Sequence, residues 1–134
     1  GKSYMNRVED WLLAADLDLR AARGSLKEDV PNIACFLSHQ AVEKVLKAYL
    51  LQRDLKVPKI HSLVELLDMA ALNAVGLKTF SVQIVFLNQF YIPTRYPDAL
   101  PGSLPEGLPT KDVAEKAIVY ATEIVEFIKS LLKS

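Results

Sequence analysis

The sequence predicts an all-α protein, an antiparallel up-and-down bundle of four or five helices, and three observations lead to this fold class. Apolar residues recur three and four positions apart along several long stretches, which is the spacing of one face of a helix. No stretch shows the strict alternation of a half-buried strand. Five of the 7 prolines fall at every fourth residue of the segment 93–109, which excludes a helix there and makes it a long loop.

The first two predicted helices are the best defined. A helix over residues 4–23 is expected to end at Gly24, and a central helix of about twenty residues begins at Pro31. Asp29 and Asn32 are the candidates for its N-cap. Its apolar face is wide enough for the middle of a bundle. The opposite side carries Phe36 and a polar strip formed by Gln40, Glu43, Lys44 and Lys47.

The remaining helices follow from capping signals and apolar spacing. Ser62, with an acidic residue three positions later, predicts a third helix over residues 63–73. A fourth helix is predicted for residues 79–91. It is apolar almost all round, so we expect it to lie centrally or to be covered by a second copy of the chain. The last helix, residues 111–132, begins after Thr110, which is a good N-cap.

Composition indicates one domain over residues 1–134, with residues 1–3 expected to be a cloning remnant or a disordered start. Lys plus Arg equals Asp plus Glu at 16 each, so any contact with a polyanion must come from a local patch. The single Cys35 excludes an internal disulfide and lies on an apolar face, which fits a core position in a cytoplasmic protein. No apolar run has the length of a membrane span.

Three stretches, in this order, form a recognisable set. They are ACFLSHQAVEKVLKAYLL at residues 34–51, PKIHSL at residues 58–63 and TRYPD at residues 94–98. Together they resemble the motifs of the HEPN family of small all-helical domains. The second helix of that family reads roughly A-C-F-x-x-Q-Q-A-x-E-K-x-L-K-A, and P-x-x-H-[SD]-L and T-R-Y-P-D follow it. The resemblance covers about residues 5–132.

The resemblance implies a HEPN bundle related to the substrate-binding subunits of nucleotidyltransferases, and a homodimer. It also implies the branch encoded beside a small nucleotidyltransferase, where the two proteins act as toxin and antitoxin or as a two-subunit transferase. Many HEPN proteins carry the RNase motif R-x4-6-H, whose arginine and histidine meet in a dimer cleft. Here no histidine follows His61. The cation Arg95 is retained and the usual acid-base group is absent, which argues against a nuclease.

The segment 95–98 is the first candidate site. Tyr96 precedes a proline and is biased towards an extended conformation, and Asp98 favours a turn, so Arg95 is expected to be presented at one end of the bundle. A guanidinium can donate two parallel hydrogen bonds to a phosphate. We therefore expect Arg95, Tyr96 and Asp98 to contact a ligand. The alternative is that Arg95 pairs with Asp98 or caps a helix as a structural clamp.

The polar strip of the central helix is the second candidate site. In one interpretation Gln40, Glu43, Lys44 and Lys47 are solvated, and the Glu43–Lys47 pair contributes only a few tenths of a kcal/mol. In the other, implied by the resemblance, Lys44 and Lys47 line a dimer groove together with Arg95. Two-fold symmetry would then double these three cations in one groove.

The two histidines complete the candidates. His39 lies between the apolar face and the polar strip, where a satisfied, half-buried residue is more common than a catalyst. His61 precedes the capping signal at Ser62 and is expected to help close the third helix. Neither has the partner spacing of a metal site, so the sequence predicts no metal and no cofactor.

The sequence is consistent with three functions. The first is a non-catalytic or weakly catalytic module that binds a nucleotide or RNA phosphate and partners a nucleotidyltransferase-like protein. The second is a metal-independent ribonuclease that uses Arg95 with a relocated base, either His39 or Tyr96. The third is a pure protein-interaction domain that docks a partner through the fourth helix and the proline-rich loop.

Overall fold

Long helices account for most of the chain. The computed structural model describes residues 4–91 and 100–133, with side chains from residue 7 onward. The helices are α1 (Tyr4–Lys27), α2 (Pro31–Gln52), α3 (Leu63–Ala71), α4 (Ser81–Asn88) and α5 (Lys111–Leu132), and a 3₁₀ helix (Val75–Phe80) leads into α4. Within the two described ranges the only extended pairing is an isolated bridge between Leu104 and Gly107. The all-α prediction is confirmed.

The three long helices form the body of the bundle. α1 is antiparallel to both α2 and α5, and Lys129 of α5 pairs with Asp16 of α1 at 2.6 Å. Three residues further along α5, Gln52 of α2 donates to the carbonyl of Leu132 at 3.1 Å. α3 and α4 pack over the remaining side of α2. Because four helices contact α2, every residue from 45 to 51 is buried.

The predicted inward faces are confirmed. The row that α5 buries consists of Ala114, Ala117, Ile118, Ala121, Ile124, Val125 and Ile128. Cys35 is fully buried, and burial raises the pKa of its thiol to about 12, so it remains a protonated core residue at neutral pH. Within the part of the chain that the structure describes, no helix is long and apolar enough to cross a membrane.

α1 does not end at Gly24, where the sequence predicts its end. It continues to Lys27, and Asp29 then adopts a left-handed conformation with φ 60°. The amide of Val30 donates to the carbonyl of Ser25, which closes the helix end in the manner of a Schellman motif. The prediction was wrong because an exposed glycine costs a helix only about 1 kcal/mol. Asp29 therefore terminates α1 and does not cap α2.

Two predicted N-caps are confirmed. Ser62 Oγ accepts the amide of Glu65 at the start of α3, and Thr110 Oγ1 accepts the amide of Val113 at the start of α5, both at 3.3 Å. By contrast, α2 begins after Val30 without a side-chain cap. The local sequence signals were therefore sufficient for α3 and α5.

α4 is shorter than predicted, because residues 79–80 belong to the 3₁₀ helix and the helix stops at Asn88. The side chain of Asn88 is used elsewhere: its Oδ1 accepts the amide of Leu63 at 2.7 Å. This bond ties the end of α4 to the start of α3. As a result, Tyr91 comes to lie beside His61.

The described part of the proline-rich loop is anchored on α2. The amide of Ser103 donates to the carbonyl of Leu100, and Gly102 has φ 76°, as the third position of a type II turn requires. Asn32 donates to the carbonyl of Pro101 at 3.0 Å. This turn therefore fixes the loop to the first turn of α2.

Candidate functional site

Polar side chains in the middle of α2 gather with two aromatic rings from neighbouring elements. His39 is fully buried, and Glu43 and Lys47 are only 5% and 6% exposed. Since buried charges are rare unless they are paired, the carboxylate and the ammonium group in this region need partners. We call the following set the α2 polar cluster: His39, Gln40, Glu43 and Lys47 of α2, His61 before α3, and Tyr91 after α4.

The carboxylate of Glu43 is the centre of the α2 polar cluster. It accepts from Lys47 Nζ at 2.9 Å, and its two oxygens lie 3.2 and 3.1 Å from Nδ1 of His61. These contacts offset the cost of removing the carboxylate and the ammonium group from water. The interpretation of the strip as solvated is therefore wrong for Glu43 and Lys47. The covering elements around α2 turn what looks like a surface pair into a buried one.

His61 is held by two contacts of its ring. Its Nδ1 faces only carboxylate oxygens, so this nitrogen carries the hydrogen and donates to Glu43. The ring also stacks on Tyr91, with centroids 4.5 Å apart and planes 10° apart. The side chain remains 47% exposed, and among the described residues Nε2 has no hydrogen-bond partner. Ser62 caps α3, so the ring of His61 is not needed for that purpose and is oriented by Glu43 and Tyr91.

Both ring nitrogens of His39 have hydrogen-bond partners. Its Nε2 donates to the carbonyl of His61 at 3.1 Å, and its Nδ1 lies 3.0 Å from the side-chain amide of Gln40, which donates to the neutral ring through its NH₂ group when the amide is turned. Burial lowers the pKa of His39 below its usual 6.5, although the hydrogen bond to Gln40 and the nearby Glu43 carboxylate act in the opposite direction. The ring is fully buried and both nitrogens are engaged. These contacts fit a structural residue better than a catalyst.

The lowered pKa of His39 makes stability pH-dependent. In the unfolded chain this histidine binds a proton near pH 6.5, whereas the folded protein binds it only at lower pH. The stabilisation is therefore complete above pH 6.5 and is lost as the pH falls below it, with a slope of at most about 1.4 kcal/mol per pH unit. We expect urea unfolding to show a smaller loss of stability between pH 7 and pH 5 in His39→Gln than in the wild type. Equal losses in the two proteins would contradict this account.

Lys44 lies apart from the α2 polar cluster. Its Nζ pairs with Asp18 of α1 at 2.6 Å, and both side chains are partly buried, at 27% and 16% exposed. The structure thus brings His39, Gln40, Glu43 and Lys47 together and leaves Lys44 against α1. Neither lysine is a cation without a counterion, because each is already bonded to a carboxylate.

The predicted site residues Arg95, Tyr96 and Asp98 lie outside the described residues. The described chain stops at Tyr91, which is stacked on His61, and resumes at residue 100, next to the turn that Asn32 holds. Both ends of the segment that contains Arg95 are therefore attached to α2 or to its polar cluster. Among the described residues, no group of three or more side chains could hold a metal ion.

Two residues of the site were missed at the level of sequence. His61 was assigned to helix closure, and Tyr91 was not distinguished from the apolar residues of the fourth helix. His61 and Glu43 are 18 positions apart, and no local spacing rule joins them. The one available signal was that Glu43 and His61 belong to two of the recognised motifs, at residues 34–51 and 58–63 respectively.

Comparisons with known proteins agree with this architecture. A family model described as the HEPN domain matches residues 8–131. The crystal structure of TT1696 from Thermus thermophilus is 35% identical, with a TM-score of 0.78, and the alignment covers 93% of this chain and 98% of that one. An archaeal HEPN homologue, ST0689, is 31% identical, with a TM-score of 0.75 and coverage of 93% and 97%.

A HEPN domain protein from Thermotoga maritima, tm0613, is 27% identical, with a TM-score of 0.74 and coverage of 92% and 98%. The search of curated proteins finds no match. The family match spans nearly the whole chain, and the solved structures share its helical bundle over nearly their whole length. The chain therefore belongs to the HEPN domain family.

Proposed function

We propose that this chain is a non-catalytic HEPN binding module that takes up the phosphate of a nucleotide or RNA beside His61 and Tyr91. The observation that supports it most is the stacking of Tyr91, where the described chain stops, on an imidazole that Glu43 holds in place. Arg95 follows Tyr91 by four residues, so chain length alone limits the separation of their Cα atoms to about 14 Å. An arginine within this distance can reach a phosphate that is bound beside His61.

The chemistry of this neighbourhood suits a nucleotide. Arg95 can donate two hydrogen bonds to a phosphate. His61 Nε2 can accept from a ribose hydroxyl when the ring is neutral, or donate to a phosphate when it is protonated. The rings of His61 and Tyr91 are stacked 10° from parallel, and in this proposal a base extends the stack at an outer ring face. Lys47 serves this site indirectly, because it neutralises the carboxylate that orients His61.

A second copy of the chain is part of the proposal. Four large apolar side chains around α4 are 64–86% exposed: Leu72, Val75, Val82 and Val85. Exposed apolar residues that cluster in this way are typical of protein interfaces. They support a homodimer that covers α4, as the sequence leads us to expect. The nucleotidyltransferase-like partner is proposed from the resemblance alone.

The ribonuclease alternative ranks second. Of the two bases considered for it, His39 is fully buried and uses both ring nitrogens, so it cannot approach a ribose 2′-hydroxyl. Tyr96 lies outside the described residues. A binding role requires no proton transfer and is therefore better supported.

Binding of AMP and of a short RNA, measured by calorimetry and fluorescence anisotropy, tests the proposal. Arg95→Ala is expected to weaken binding by about tenfold or more, because a charge-assisted hydrogen-bond pair is lost. His61→Gln is expected to weaken it less. Arg20→Ala, which removes an exposed arginine on α1, is the matched control and should change affinity by less than about twofold.

Failure of the wild type to bind either ligand, or equal losses in Arg95→Ala and Arg20→Ala, would overturn the binding proposal. RNA cleavage that Arg95→Ala abolishes would instead support the ribonuclease. Light scattering on the same samples tests the homodimer. Co-purification with a nucleotidyltransferase-like protein expressed in the same cells tests the partner.

A further inference from the structure

A concave surface lies where α1 ends and α5 begins. It is an open depression with a volume of about 400 Å³. We call it the α1–α5 groove, and its lining residues are Arg23, Leu26, Lys27, Lys111, Glu115, Ile118 and Val119. None of them belongs to the α2 polar cluster. The groove is thus separate from the site described above.

The floor of the groove is apolar. Leu26 is contributed by the last turns of α1, and Ile118 and Val119 by α5. Val119 is 55% exposed although it lines a concave surface, so part of this floor is open to solvent. A volume of about 400 Å³ lies in the range of small-molecule sites, roughly 300–1,000 Å³. The floor can therefore receive the apolar body of a small ligand.

The rim of the groove is positively charged. Arg23, Lys27 and Lys111 contribute three positive charges against the one negative charge of Glu115, which leaves a local excess of two. No carboxylate in the part of the chain that the structure describes lies within ion-pair distance of these three cations. Lysines that do have such partners in the described part are Lys44, Lys47, Lys78 and Lys129.

This excess follows from how α1 distributes its charges. Its four acidic residues, Glu9, Asp10, Asp16 and Asp18, precede its last two turns, and Asp16 and Asp18 are bonded to Lys129 and Lys44. The charged residues of the last two turns are all basic. The N-terminal turn of α5, at the same edge of the groove, adds the positive end of a helix dipole. The lining of the groove therefore carries a positive excess over an apolar floor, with Asp112 adding one negative charge next to Lys111 in the first turn of α5.

We propose that the α1–α5 groove binds a small amphipathic anion, a phosphate or carboxylate group carried on an apolar body. The body lies on Leu26, Ile118 and Val119, and the acidic group lies among Arg23, Lys27 and Lys111. A nucleoside monophosphate and a medium-chain acyl carboxylate share this chemistry and this size. None of these six residues takes part in the nucleotide site proposed beside His61.

The probe for the test is 1-anilinonaphthalene-8-sulfonate, which combines an aromatic body with an anionic group. The double variant Lys27→Glu/Lys111→Glu is expected to weaken its binding by about tenfold or more, since two attractive charges become repulsive. The matched control Lys59→Glu/Lys133→Glu changes the net charge equally at exposed positions outside the groove and should alter affinity by less than about twofold. Circular dichroism establishes that both variants are folded.

Competition then identifies the ligand class. Displacement of the probe by AMP assigns a nucleotide to the groove, and displacement by octanoate assigns an acyl anion. Arg95→Ala should leave probe binding unchanged, which separates this proposal from the site beside His61. The proposal is overturned if probe binding does not saturate, if the control variant loses as much affinity as the groove variant, or if neither competitor displaces the probe.

Discussion

Replacement of Glu43 by alanine is expected to lower the free energy of unfolding by about 3–5 kcal/mol, the cost of leaving a buried charge without its partner. Lys47 is 6% exposed, and its ammonium group is bonded to this carboxylate at 2.9 Å. His61 would also lose the acceptor of its Nδ1 hydrogen. Urea unfolding followed by circular dichroism measures the change directly.

The matched control for this prediction is Asp68→Ala. It also removes the carboxylate partner of a lysine, but the pair with Lys78 is exposed, at 59% and 54%. The expected loss there is below about 1 kcal/mol, because water screens both charges. Similar losses of unfolding free energy in the two variants would show that the ammonium group of Lys47 becomes solvated without destabilising the fold. That result would contradict the buried cluster.

A second variant keeps the interpretation testable if Glu43→Ala does not fold. Glu43→Gln combined with Lys47→Met removes both charges and retains most of the side-chain volume. We expect it to be markedly more stable than Glu43→Ala, since an apolar or neutral replacement of a buried ion pair is often tolerated. It should also weaken ligand binding beside His61, because the imidazole loses its charged anchor.

Gly102→Ala is the second change with a large expected effect. An added Cβ would lie 1.8 Å from the backbone oxygen of Asn32, and the residue has φ 76°. The turn must therefore move away from α2 and give up the hydrogen bond between Asn32 and Pro101. We expect a loss of about 2–4 kcal/mol in the free energy of unfolding, from steric displacement and backbone strain together. Thermal unfolding of the purified variant measures it.

Two other glycines provide controls for the same substitution. Gly107 also has a positive φ, of 129°, but nothing lies within 4 Å of an added Cβ, so Gly107→Ala reports backbone strain alone. Gly24 lies inside α1 with open space around it, and Gly24→Ala should stabilise the protein by up to about 1 kcal/mol. Equal effects at Gly102 and Gly107 would contradict the close contact with Asn32.

Most of the fold could be predicted because its signals are local. Helical spacing of apolar residues, the capping residues Ser62 and Thr110, and the proline-rich segment each depend on neighbours within about four positions along the chain. The end of α1, which is set by the conformation of Asp29 just after the helix, was not predictable in this way. Asp29 takes the left-handed conformation that glycine adopts most easily, so the obvious signal pointed to Gly24 instead.

The candidate site was predictable only in part. The sequence identified Gln40, Glu43 and Lys47 as a polar strip, but a strip on a single helix gives no sign of which element will cover it. The packing of the segment around His61 over α2 buries Glu43 and joins it to a residue 18 positions away. Long-range contacts of this kind depend on how elements meet, and helical periodicity carries no information about them.

The sequence by itself determined the helices of the bundle, the apolar faces that pack together, and the family to which the chain belongs. Only the tertiary structure decided that Lys47 neutralises a buried carboxylate and that Lys44 pairs with Asp18 of α1. It also decided that His39 uses both ring nitrogens, whereas His61 Nε2 has no hydrogen-bond partner among residues 7–91 and 100–133. The physical reason is that a charged side chain is exposed or buried, and paired or free, according to the elements packed around it.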